Sequence, residues 1–348
     1  MKLCPISDSY LNVSGNCYDP DFINLTRIDD GRINFDSRVL FLSQTQKEKL
    51  NRDAVRNYKN AAFLVRRKNV YSLVADIDID EYKNGRVKTH ELVIPDTVQG
   101  MLANFNIYNT ETQPVLLIHK EHLPLGEYAA KEENDGIYTV KDTVIYVYLG
   151  DRALRLLEMY NRQIGCLYVA DGHHRLYSTS ILRHKKTMLS CLADMDDVVI
   201  YPIHRILRNI DAAVFDAAKK MFQSRRMIAD GRALKKGIVR ITYGDETLYV
   251  RLSDIDGDEF WNNDVLRLNT QILTVAFRIN DFSDLSFVSG NDFERGDYTL
   301  GRNDVLLEVC APTLCEFVGF IDRDQVMPPK STCFEPKFPS FLIMKKYR

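Results

Sequence analysis

No apolar run in this 348-residue chain is long enough to span a bilayer, and the opening MKLCPISDSYLNVS has no apolar core of the kind a signal peptide needs. A membrane role is therefore not expected. The two familiar nucleotide loops are missing as well: neither GxxxxGK[ST] nor GxGxxG occurs, so any nucleotide must be held by another device. Charge of one sign is also lacking. With 46 basic and 48 acidic side chains the net charge is -2, which withholds the electrostatic footprint of a nucleic-acid binder and counts against a nucleic-acid partner. Seven cysteines (Cys4, Cys17, Cys166, Cys191, Cys310, Cys315, Cys333) form no CxxC pair and no zinc-finger spacing. An odd, unpatterned set reads as reduced thiols in a cytoplasmic protein. No internal repeat and no low-complexity segment appears. What remains is an ordinary globular balance, 45% hydrophobic and 27% charged, long enough for two or three folded pieces.

The most informative stretch is CLYVADGHHRLYSTSILRH, residues 166–184. Leu167, Tyr168, Val169 and Ala170 form a short apolar run of buried-strand type that stops at Asp171-Gly172. Leu176, Thr179, Ser180, Ile181 and Leu182 then fall at helical spacing, which sets His173, His174 and Arg175 where a helix begins. The first amides of a helix lack intrahelical acceptors and the macrodipole is positive there, so such a turn suits an anion. Gly172 would let a phosphate approach the backbone, the two imidazoles can donate to it, and Arg175 can form a bidentate pair. Asp171, itself an anion, would orient an imidazole or reach magnesium. The same five residues would also make a plain structural turn.

Strand, DGHHR and helix together resemble the phosphate-binding motif of the ParB/sulfiredoxin superfamily, and within it the free serine kinase branch. ParB proteins carry a Gly-Glu-Arg-Arg type of motif there, where this chain has Gly172-His173-His174-Arg175. Sulfiredoxins carry a nucleophilic cysteine where this chain has His173, so the peroxiredoxin-repair reading loses its nucleophile.

Further elements follow in order. Arg38–Leu42 reads as a strand and Gln44–Asn60 as a charged helix; Ala61–Val65 and Val70–Ile79 alternate as two strands joined at Lys68-Asn69. Asp96 would cap a helix over Thr97–Tyr108. Residues 114–119 (PVLLIH), 144–149 and 198–203 read as strands and Asp151–Arg162 as a helix, making a small mixed α/β unit. Beyond His204 come a helix at 211–222, strands at 238–243 and 247–252, a helix at 264–279, a strand at 304–310 and a helix at 313–321, the pattern of a second, α+β domain.

In the serine kinases a His-Glu pair precedes the first helix of this module, and the Glu takes the proton from the serine hydroxyl. His90-Glu91 stand at the matching place here, and the resemblance carries the base role to Glu91. The chemistry is coherent: a serine hydroxyl is a poor nucleophile and needs an acceptor carboxylate, while the phosphoryl group needs neutralisation. A solvated strand-end Glu is the plain alternative. The tail supplies a third match. Residues 326–337, VMPPKSTCFEPK, resemble the Met-Pro-x-Lys-Ser-Thr-x-Phe-x-Pro-Lys segment of a large, mostly uncharacterised bacterial family that also carries DGHHR and a His-Glu element. The Pro-Tyr-Asp element expected near that family's start is missing from the first eighty or so residues. Lys330, Ser331 and Thr332 would either reach a phosphate or substrate carboxylate or dock the tail on the core.

Other constellations point less clearly. His119-Lys120-Glu121-His122 offers two imidazoles in a spacing that reads as a surface turn after a strand rather than as a zinc site. His90-Glu91-Leu92-Val93-Ile94 lacks the second His of a metalloprotease helix.

These readings combine into an α/β (α+β) protein with a ParB/sulfiredoxin-like mixed-sheet core and a C-terminal α+β domain, divided as an entrance region 1–84, a core 85–205 and a C-terminal domain 206–348. The resemblance implies a kinase that transfers a phosphoryl group from ATP or ADP to free L-serine. Glu91 and Asp171 would be catalytic, Gly172, His173, His174 and Arg175 would bind the donor's phosphates, and Mg2+ would assist, with Asp171 as a possible ligand. His90, Lys330, Ser331, Thr332 and Arg205 are candidate substrate contacts. The same residues would serve another hydroxyl metabolite as acceptor, and a ParB-like nucleotide-dependent regulator or DNA-binding protein is the further alternative.

Overall fold

The computed structural model describes residues 1–15, 26–35, 43, 45, 55–257, 261–281 and 285–348. They form two compact units, the first of Met1–Thr89, Val93–Val198 and Pro336–Arg348, the second of His90–Leu92 and Val199–Glu335. Among the described residues no helix is long and apolar enough to cross a membrane.

The first unit is built on a large mixed sheet. Its strands run in the order Val87–Lys88, Leu167–Asp171, Val115–His119, Thr187–Asp194, Val70–Asp78, Val55–Arg67, Ile6–Asn12, Ile343–Lys346 and Thr110–Glu111. Thr187–Asp194 is parallel to Val115–His119 and antiparallel to Val70–Asp78. Val115–His119 is buried at every position, as a strand covered on both faces must be. Helix Gly150–Gln163 buries Ala153, Leu156, Leu157 and Tyr160, one stripe at helical spacing, into a core with Leu64, Leu73, Tyr148, Leu167 and Leu192. Asp76, Glu111, Lys185 and Lys345 form a buried charge cluster in this unit. Lys185 Nζ lies 2.8 Å from Glu111 Oε1, and Lys345 Nζ lies 2.9 Å from Asp76 Oδ2 and 3.7 Å from Glu111 Oε1. The Lys185 ammonium also stands 3.7 Å from the Phe105 ring centroid and 4.3 Å from that of Tyr347.

The second unit holds a five-stranded antiparallel sheet ordered Glu246–Arg251, Ile238–Tyr243, Val305–Glu308, Ile203–Leu207 and Leu285–Ser289. Phe215 and Phe222 of helix Ala212–Ser224 pack on Val239, Ile241 and Leu307. Asp211 caps that helix, its carboxylate accepting from Ala213 N at 2.7 Å.

The mixed α/β class with a further α+β unit agrees with the sequence reading; several details differ. The strand read at Arg38–Leu42 lies outside the described residues. Most of the helix read over Gln44–Asn60 does too, but residues 55–60 are strand, because Val55–Arg67 pairs with Ile6–Asn12 in register from Asn12 opposite Val55 to Ile6 opposite Ala61. Val55 and Tyr58 suit a strand, and pairing with Ile6–Asn12 fixes one there. Asp96 is not the cap of its helix: Pro95–Ile107 starts two residues earlier, with Ile94 at the N-cap and Asp96 in the acidic first turn. The helix read over residues 264–279 is an α-helical turn, Asp264–Arg267, continued over Leu268–Ala276 with wider i→i+5 bonding such as Phe277 N to Ile272 O. Divisions at residues 84 and 205 do not coincide with the two units. Strands before residue 84 lie in one sheet with those of 93–198, Val74 facing Cys191 for example, and residues 336–348 return to it.

Candidate functional site

In the first unit the DGHHR residues stand where the sequence reading put them, at the junction of strand Leu167–Asp171 and helix His173–Ile181. Gly172 is the N-cap residue, left-handed at φ 98°, and a Cβ there would come 3.0 Å from Arg175 Nη2 and 3.1 Å from Val115 Cγ2. Both conformation and space therefore require glycine. His173 is buried, and burial pushes its imidazole pKa down to about 4, so the ring is neutral near pH 7. His174 Nε2 accepts a hydrogen bond from Ile94 N at 2.8 Å, which leaves a neutral ring its N–H at Nδ1.

Arg175 differs from expectation. Its guanidinium is 7% exposed and donates through Nη1 to Gln113 O at 2.7 Å and Pro114 O at 3.0 Å, and through Nη2 to Asp171 Oδ2 at 2.6 Å. The planar fork thus braces the turn from within instead of offering a bidentate face to an incoming phosphate. Asp171 is correspondingly tied to Arg175 rather than to an imidazole nitrogen.

The second unit contains the other candidates, and there two sequence elements interlock. Glu91 forms a parallel bridge with Met327, and Met327 N donates to His90 O at 2.5 Å. The Glu91 carboxylate accepts from Lys330 N at 2.8 Å. His90, fully buried, places Nε2 2.8 Å from Thr332 Oγ1, with the rings of Phe317 and Phe334 edge-on at 4.7 and 6.1 Å. Ser331 is buried and its hydroxyl donates to Pro328 O at 2.6 Å, closing the turn. Lys330 sits at its apex in the left-handed region, φ 61°, with its side chain exposed.

Arg205, on strand Ile203–Leu207, is completely buried. It donates to Ile203 O and, at 2.9 Å, from Nη2 to Lys330 O, while its Nε meets no partner. Burial lowers its pKa to about 10, opposed by the nearby Glu91 carboxylate, so it remains a cation at neutral pH. His90, Glu91, Arg205, Lys330, Ser331 and Thr332 thus belong to one constellation within the second unit, whereas residues 171–175 belong to the first. The sequence reading missed the aromatic walls of Phe317 and Phe334. Phe334 lies within the tail motif and was open to notice. The carbonyls of Gln113 and Pro114 were not, since a backbone acceptor leaves no mark in residue type.

Residues 25–270 match the model of a family described as Protein of unknown function (DUF1015). No curated protein matches the chain. Among solved structures, SbnI with C-terminal truncation from Staphylococcus aureus is 13% identical, with 77% of this chain and 85% of that one covered at a TM-score of 0.45. A free serine kinase in complex with AMP is 15% identical, with 77% and 92% covered and a TM-score of 0.39. A conserved hypothetical protein from Pyrococcus furiosus is 16% identical, with 77% and 93% covered and a TM-score of 0.41.

Proposed function

The chain belongs to the family described as Protein of unknown function (DUF1015), and from that premise we propose that it is a kinase acting on a small hydroxyl metabolite. Its donor is ATP or ADP, and its acceptor is free L-serine, giving O-phosphoserine. The observation that carries this reading is the interlock of the His-Glu element with the Met-Pro-Pro-Lys-Ser-Thr tail through Glu91 to Lys330 and His90 to Thr332. Two motifs that resemble those of one family support each other's geometry, and a carboxylate is held in a fixed direction at their junction.

Glu91 is the base. The serine oxygen forms the new bond to phosphorus, the bond from that phosphorus to the donor's bridging oxygen breaks, and the nucleotide leaves with the bridging oxygen while Glu91 takes the hydroxyl proton. Such a base contributes on the order of 10²- to 10⁴-fold. The donor's phosphates fall to the turn at Gly172, at the N-terminus of helix His173–Ile181, where the buried His173 imidazole is uncharged. Arg175 shapes this turn through Asp171. Magnesium, when bound, would neutralise developing charge on the donor phosphates, with Asp171 the carboxylate of the turn able to hold it. In the tail, the hydroxyls of Ser331 and Thr332 serve Pro328 and His90, which leaves the exposed Lys330 ammonium to meet a carboxylate or phosphate. Arg205 fixes the Lys330 carbonyl.

The deciding measurement is phosphorus NMR of the protein with magnesium, ATP or ADP, and L-serine, beside the Glu91→Gln variant. A phosphoserine resonance from the wild type and none from the variant is the expected result. Equal product from both takes the base role away from Glu91. Nucleotide binding without a serine product moves the acceptor to another hydroxyl compound, and no nucleotide binding overturns the reading.

A further inference from the structure

Three arginines are buried among the described residues: Arg175, Arg205 and Arg267. Arg175 keeps the Asp171 carboxylate at 2.6 Å, and Arg267 keeps two, those of Asp254 and Asp264, at 2.6 and 2.7 Å. Arg205 is the most deeply buried of the three, and among the described residues no carboxylate pairs with it directly. Its acceptors are the carbonyls of Ile203 and Lys330, and its guanidinium lies 5.7 Å from the Phe287 ring centroid. It stands mid-strand, opposite Phe287 on one side and Leu307 on the other. A charge interred without a contacting counter-charge is costly, and an apolar side chain of similar volume would ordinarily serve the packing better.

The carboxylate that acts on this cation is that of Glu91, whose charge favours the guanidinium form. Both residues belong to the second unit. Lys330 stands between them: its carbonyl accepts from Arg205 Nη2 at 2.9 Å, and its N–H donates to Glu91 Oε1 at 2.8 Å. These are the peptide groups on either side of one Cα, and that residue is left-handed at φ 61°. A lysine in this region is strained, and such a conformation persists only where its surroundings hold it. Here a buried cation grips one side and a carboxylate the other. The separation suits a base. A guanidinium in direct contact would fork onto both carboxylate oxygens and depress their basicity, whereas one residue away it attracts the carboxylate without forking onto it.

We propose that Arg205 is a positioning residue for Glu91, fixing the direction of that carboxylate through the Lys330 turn and serving as its buried counter-charge. Its place in the reaction rests on the reading of Glu91 as the base; the coupling of Arg205, Lys330 and Glu91 does not. Being completely buried, Arg205 acts through Lys330 and not on the substrate itself.

The test is a double-mutant cycle of Arg205→Met and Glu91→Gln on the full chain, read first by urea unfolding at pH 7. In the wild-type background Glu91→Gln takes the counter-charge from a buried cation and should lower the unfolding midpoint. In the Arg205→Met background the same substitution should lower it by about half as much or less. Arg205→Gln, which is neutral but keeps a donor for the Lys330 carbonyl, carries the cycle should Arg205→Met not fold. Phosphorus NMR then reads activity: either Arg205 variant should lower kcat roughly tenfold or more with the nucleotide KM unchanged, because alignment is lost and no substrate contact is. Equal midpoint shifts in the two backgrounds overturn the coupling. An unchanged kcat, or a change confined to KM, overturns the positioning role. Coupled midpoints with no phosphorylated product from the wild type uphold the coupling and sink the kinase reading alone, so the two failures are told apart.

Discussion

The Glu91 carboxylate and the Lys330 backbone amide are joined at 2.8 Å across 239 positions of sequence. This bond ties the candidate base to the apex of the tail turn, so the direction of Glu91 depends on a peptide group while the Lys330 side chain is left exposed.

That arrangement separates the two roles of Lys330. A non-glycine residue in the left-handed region costs about 1–2 kcal/mol, and glycine there gains that back while losing about 0.5–1 kcal/mol through the freer unfolded chain. Lys330→Gly should therefore leave thermal stability within about 1 kcal/mol of wild type. If the ammonium meets substrate, KM for serine or nucleotide rises in the same variant. Unchanged stability together with an unchanged KM would leave Lys330 as a turn residue only.

The buried Arg175 guanidinium donates hydrogen bonds to Gln113 O, Pro114 O and Asp171. A lysine cannot reproduce that fork. Arg175→Lys should destabilise the protein by about 2–4 kcal/mol in urea unfolding, since bonds to charged groups are worth about 1.5–3 kcal/mol each. Wild-type stability with lost nucleotide affinity would place the guanidinium on the donor phosphates instead.

The buried charges of the first unit give a sharper stability test. Lys345 pairs with Asp76 and Glu111 and donates to Thr187 Oγ1 at 2.7 Å, all from the strand Ile343–Lys346. Removing one partner of a buried pair strands the other, at about 3–5 kcal/mol. Lys345→Met is expected to lose that much by chemical denaturation. A loss under 1 kcal/mol would show that the carboxylates find water or share a proton.

His173 and His204 are both buried, and burial depresses each imidazole pKa to about 4, against about 6.5 in an unfolded chain. Between these values the unfolded state binds more protons, so stability rises with pH across this window and is complete above about 6.5. At pH 5 each imidazole should cost about 2 kcal/mol relative to pH 7. Unfolding free energies measured from pH 4 to 7 check the slope, and His173→Gln should remove its own share, about 2 kcal/mol between pH 5 and pH 7.

Much of this was legible beforehand because it is local. A strand-turn-helix at 167–181 follows from an apolar run, Asp-Gly and helical spacing, and the structure has those elements there. Asp211 and Thr313 announce their helices in the same way, the latter with a full capping box to Glu316. The turn at Gly172 also needed glycine for reasons that lie partly outside the motif, since Val115 supplies half of the crowding.

The sequence by itself determined which side chains are available and which short elements carry them, because hydrophobic period, capping and turn chemistry act over a few residues. Tertiary structure alone decided their partners. It set Glu91 on Lys330 and His90 on Thr332, spent the Arg175 fork on two carbonyls and Asp171, and put Asp194 and Asp196 beside His122. It also drew residues 55–60 into a strand by pairing them with Ile6–Asn12. The physical reason is one of range: pairing and burial join positions tens to hundreds of residues apart, and a backbone carbonyl or amide at such a contact has no identity in the sequence.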